Sequence, residues 1–80
     1  MSIFKRILDE YPEEGLIKAD GFDDAIIGVS SDIRVVYSLD KIIEILQKDM
    51  SEEEAVEFFY FNIESAYVGD KTPLYVKLIN

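Results

Sequence analysis

Two short β-branched runs set within an otherwise helical pattern most restrict what this chain can fold into. Residues 25–29 (AIIGV) and 33–37 (IRVVY) are separated only by Ser30, Ser31 and Asp32. Runs of that length and composition, joined by a short polar connector, predict a β-hairpin. Strict alternation turns Ala25, Ile27 and Val29 inward and Ile26 and Gly28 outward. In the second run it sets Ile33, Val35 and Tyr37 against Arg34 and Val36. An isolated hairpin is at best marginally stable in water, so the flanking sequence has to cover it.

The flanks supply amphipathic helices. Ile3, Phe4, Ile7, Leu8 and Tyr11 recur at helical spacing, and Pro12 and Gly15 end that segment. The stripe reads as core rather than as a membrane anchor, given the acidic balance of the chain. The segment DGFDD (residues 20–24) reads as a turn. Ser38 suits the N-cap of a second helix, which carries Leu39, Ile42, Ile43, Leu46 and Met50 on one face. Ser51 and Glu54 have the spacing of a capping box, opening a third helix expected over residues 52–68. Gly69 and Pro73 close that helix. Residues 74–79 alternate as a last strand, with Tyr75 and Lys77 on one side and Leu74, Val76 and Leu78 on the other. The order α-β-β-α-α-β predicts an α+β fold. It has a small three-stranded sheet, helices packed on one face, and residues 1–80 in one compact domain. Strand order stays open, because the last strand fits beside either hairpin strand.

The charge explains what such a domain presents outward. The 80 residues carry a net charge of −9, yet 49% of them are hydrophobic. So many apolar residues argue for a folded core rather than an acidic disordered tail. With no Cys and no His, thiolate chemistry, imidazole bases and the usual zinc sites are excluded. An oxygen-only cation site is chemically open, but Asp20, Asp23 and Asp24 match only half of a calcium loop. No carboxylate pair has the spacing of a hydrolase. No cofactor and no enzymatic activity are therefore expected. The first residues are charged too early for a secretory signal, and no run reaches membrane-spanning length. The expectation is a cytoplasmic protein that binds neither membrane nor, directly, nucleic acid, since phosphate repels an acidic surface.

Several residues do not fit a bland core-and-surface pattern. Phe61 falls off the apolar arc of the third helix, formed by Ala55, Val56, Phe59, Ile63, Ala66 and Tyr67. It lies instead among Glu54, Glu57 and Glu64. Ile45 is similarly off-face on the preceding helix. Scattered exposed apolar residues are ordinary, but an aromatic ringed by carboxylates is also what protein–protein contacts show. Asn62 is the reverse case, a polar side chain within the apolar arc. It is expected to bond a neighbouring loop backbone, or else to stand at a ligand site with Tyr67, Lys71 and Thr72. Glu52, Glu53, Glu54 and Glu57 form one acidic cluster, and Asp9, Glu10, Glu13 and Glu14 another. Each is either a solvated face or an imitation of nucleic-acid phosphates. On the open sheet face, Arg34, Tyr75, Lys77 and Val36 are expected to lie together. They would serve self-association or, more weakly, stacking of bases.

The stretches FDDAIIGV, RVVYSLDKIIEIL and MSEEEAVEFFYFNIESAYVGDKTPLYV resemble a group of small acidic proteins of bacteriophages and of prokaryotic genomes carrying them. The resemblance covers residues 22–76. Its most specific part is Glu54 and Ala55 with Asn62, Ala66, Tyr67, Gly69, Thr72 and Pro73. The group has no established activity. The resemblance implies an accessory viral product acting in a host cell, of a kind that often inhibits host machinery, including defence nucleases. The expected function is a non-enzymatic protein-interaction module, for a protein partner such as a basic host protein or for a second copy. The expected site residues are Phe61, Glu57, Glu64, Glu53, Ile45, Arg34, Tyr75 and Lys77. The alternative is an inhibitor of a host nucleic-acid-binding or defence protein, acting through nucleic-acid mimicry.

Overall fold

The computed structural model describes residues 3–79. It has a helix, two strands, two helices and a last strand, in the α+β order expected. In α1 (Ile3–Glu10) the inner edge of the stripe packs toward the core through Phe4 and Ile7, with Tyr11 just beyond the helix. Ile3 and Leu8 lie at its exposed margins. Residues 23–25 form a single 3₁₀ turn that delivers the buried Ala25 to the first strand.

β1 (Ile26–Val29) pairs antiparallel with β2 (Val35–Ser38) as the predicted hairpin; Ala25 and Val29 face inward as read, but Ile26 and Ile27 exchange sides. The register sets Ile26 opposite Tyr37, Gly28 opposite Val36 and Val29 opposite Val35, so Ile27 is the extra residue of a β-bulge. Ile26 is thus buried and Val29 packs on the core, while Ile27 is 39% exposed. Period-two counting fails here because the bulge inserts one residue. The second run alternates as read, with Val35 and Tyr37 fully buried. It becomes a strand two residues late, because Ile33 turns the chain at φ 58. The Ile33 N–H donates to Ser30 O and the Ser30 N–H to Arg34 O, closing the loop.

β3 (Leu74–Val76) is shorter than the six residues read as strand. It lies parallel to β2, pairing Leu74 with Val36, Tyr75 with Tyr37 and Val76 with Ser38. β2 is the central strand. A parallel neighbour needs a crossover connection, which the second and third helices provide. α2 (Leu39–Leu46) starts on Ser38, whose hydroxyl accepts from the Lys41 N–H. It ends four residues before the expected Met50.

α3 (Glu52–Phe58) opens on the predicted capping box. The Ser51 hydroxyl accepts from the Glu54 N–H at 3.2 Å, and the Glu54 carboxylate accepts from the Ser51 N–H at 3.2 Å. The long helix of residues 52–68 is not formed. At Phe59 the backbone widens into a π-helical turn, Phe59–Glu64, and then stops. Two polar side chains bond back within this stretch: Asn62 Nδ2 donates to Phe58 O at 3.2 Å and Ser65 Oγ to Phe61 O at 2.8 Å. Such back-bonding competes with the α-helical ladder and distorts it. Of the expected arc, Ala55 and Phe59 are buried and Ile63 packs on the core. Val56, Ala66 and Tyr67 are exposed, the last two because the helix has already ended.

The core forms where Ile7, Ile42 and Phe59 from the helical layer meet Ile26, Val35 and Tyr37 from the sheet. Tyr37 stacks on Tyr75 at 5.5 Å between centroids, and Phe59 meets Tyr75 edge-on at 5.2 Å. These rings fasten the π-helical turn to β2 and β3.

Candidate interaction surface

Among the exposed large apolar residues, Phe58, Tyr60 and Phe61 come from one short stretch, and Tyr67 and Val68 follow it closely. The local cause is the π-helical turn. It buries Phe59 while leaving the aromatic residues on either side of it in solvent. Phe61 is 74% exposed. It sits at a groove of about 440 Å³ with Phe58, Met50, Asn62 and the carboxylates Asp49, Glu54 and Glu57. The capping box carries Glu54 to this rim, and the short link between α2 and α3 brings Asp49 and Met50 to its far side. No Lys or Arg lines the groove. Asp49, Glu54 and Glu57 form none of the ion pairs seen among the described residues.

The site residues read from the sequence are only partly assembled there. Phe61 and Glu57 share the groove. Glu53 and Glu64 are exposed but do not line it. Ile45 is a correction: it packs against the core instead of standing off-face. Asn62 is another. It is exposed, its amide bonds its own helix rather than a neighbouring loop, and it is not grouped with Tyr67, Lys71 and Thr72. The structure adds Phe58, Met50 and Asp49, which sequence reasoning missed. The spacing of Phe58 and Phe61, three residues apart, was the available signal.

The expected grouping of Arg34, Tyr75 and Lys77 on the open sheet face is also corrected. Tyr75 packs against Tyr37 and Phe59 on the helix side. Lys77 pairs with Asp40 of α2 at 2.9 Å. Arg34 serves the fold: its Nε donates to Thr72 O at 2.7 Å and its guanidinium lies 3.5 Å from Asp32. Lys71 completes this junction by donating to Ile33 O at 3.0 Å and pairing with Glu14 at 3.2 Å. The Ser30 hydroxyl bonded to Asp32 holds that carboxyl below its usual range, with Arg34 adding to the effect. Opposite Tyr37 and Tyr75, the register sets Val36 beside Leu74 and Ser38 beside Val76 on the outer sheet face.

The acids do not gather into a chelating set. Asp23 of the DGFDD turn pairs with Lys18 at 3.0 Å. Among the described residues no three carboxylates stand close enough to hold a metal ion. No family model, curated protein or solved structure matches the chain. The surface must therefore be read from its own chemistry. Among the described residues no helix is long and apolar enough to cross a membrane.

Proposed function

We propose that this chain is a non-enzymatic protein-interaction module whose docking surface is the Phe61 groove. The observation that carries this reading is a phenylalanine 74% exposed beside Phe58 and Met50, with carboxylates that form none of the ion pairs seen among the described residues. Exposed aromatics in a concave, desolvatable setting supply most of the energy at protein interfaces. The resemblance to small acidic phage proteins supports a setting inside a host cell. The test is affinity capture of host proteins by the wild-type chain and by Phe61→Ala, with the urea midpoint of each as a folding control. Loss of a captured partner in a variant of unchanged stability supports the module; identical capture by both proteins contradicts it.

A second reading, mimicry of nucleic acid toward a basic host protein, is favoured by the exposure of Glu52, Glu53 and Glu57 along one short helix. In that reading the carboxylates stand in for phosphates and binding falls steeply with salt. Reversing Glu52, Glu53 and Glu57 to Lys should abolish such binding while Phe61→Ala spares it.

A further inference from the structure

We infer that the Phe61 groove selects an arginine side chain carried by an amphipathic segment of the partner, a specificity that rests on the docking role proposed above. Three features of the groove converge on that chemistry. Its charged lining is all of one sign: Asp49, Glu54 and Glu57, with no basic residue among them. Its apolar part is aromatic and soft, lined by the Phe61 and Phe58 rings and by Met50 with its adaptable thioether. Its carboxylates are spread along a rim rather than gathered, and no three described carboxylates converge enough to chelate a metal ion.

A guanidinium satisfies these features together. Its plane stacks on an aromatic face while its edge donates to carboxylates, and its aliphatic stem lies on apolar surface. An ammonium group is a compact, strongly hydrated charge and uses the ring face less well. A wholly apolar segment would dehydrate the rim carboxylates without replacing their hydrogen bonds. A second copy of the chain is a poor occupant, because each copy carries a net charge of −9. The groove is also roomier than one side chain requires, at about 440 Å³. The apolar neighbours of the arginine on the partner's helix or strand therefore have Phe58 and Met50 to pack against.

The test uses fluorescence anisotropy with the full chain and three labelled amphipathic peptides identical except at the central position. That position is arginine, lysine or citrulline, the last matching arginine in shape without its charge. The arginine peptide should bind about tenfold more tightly than the citrulline peptide and measurably more tightly than the lysine peptide. Phe61→Ala should weaken arginine binding about tenfold, and Glu57→Gln should weaken it several-fold and flatten its salt dependence. Asp9→Asn, distant in sequence and outside the groove, should change nothing. If Phe61→Ala weakens all three peptides equally and they bind alike, the docking surface stands and arginine selectivity is overturned. If the arginine peptide binds wild type and Phe61→Ala equally, it sees only a diffuse acidic surface, and both selectivity and docking at Phe61 fail. No binding of the arginine peptide to wild type overturns the selectivity.

Discussion

Tyr37 shows how much a single side chain holds in this small core. Its ring stacks on Tyr75, and its hydroxyl oxygen accepts from the Ala19 N–H at 2.7 Å, tying β2 to the segment after α1. Burial pushes its phenol up to about 12 from an ordinary value of 10.0, and burial raises Tyr75 as well. The folded state therefore favours the neutral phenol. That stabilisation is complete below pH 10 and is lost as pH rises through about 12. Urea unfolding at stepped alkaline pH should show stability falling over this window. Tyr37→Phe should remove the larger part of that fall, leaving the Tyr75 share. At neutral pH the same substitution should cost about 1–2 kcal/mol, because the Ala19 N–H loses its acceptor. Ile33 gives the opposite sign. A β-branched residue at φ 58 is strained, and Ile33 is not among the side chains packed on the core. Ile33→Gly should stabilise the chain by about 1 kcal/mol, read from the urea midpoint.

Among the elements, α3 joins a well-specified start to a distorted end. The capping box is legible in Ser51 and Glu54 and forms as read. Ser51→Ala should lower stability by about 1 kcal/mol in denaturant titrations. The π-helical turn is not legible in apolar spacing, since Ala55, Phe59 and Ile63 fit an ordinary α-helix. It is accompanied by the back-bonding of Asn62 and Ser65, which periodicity does not register. The bulge at Ile27 is hidden for a related reason: one inserted residue breaks strict alternation, turning Ile26 inward and Ile27 outward while Ala25 and Val29 stay on the core side. The same difficulty affects β3, where the alternation of residues 74–79 is visible but not which side meets the helices. Packing of Tyr75 against Tyr37 and Phe59 decides that, and it removes Tyr75 and Lys77 from the outer face. Phe61 and Glu57 were recognisable because both lie within one helical turn. Met50 and Asp49 join them only through the tertiary turn between α2 and α3.

The whole molecule divides its charge and its apolar surface unevenly. Its basic residues are largely used internally: Lys18, Arg34, Lys41, Lys71 and Lys77 each pair with a carboxylate. The carboxylates at the Phe61 groove have no such partner among the described residues. A cationic partner thus meets unspent negative charge beside exposed aromatic surface, so association should be fast and should weaken with salt. The most direct check is a two-dimensional ¹H–¹⁵N NMR titration of the full chain with the arginine-bearing amphipathic peptide. The account predicts saturable shifts concentrated at Asp49, Met50, Glu54, Glu57, Phe58, Phe61 and Asn62. Shifts centred on the outer sheet face, spread evenly over the acidic residues, or absent would contradict it.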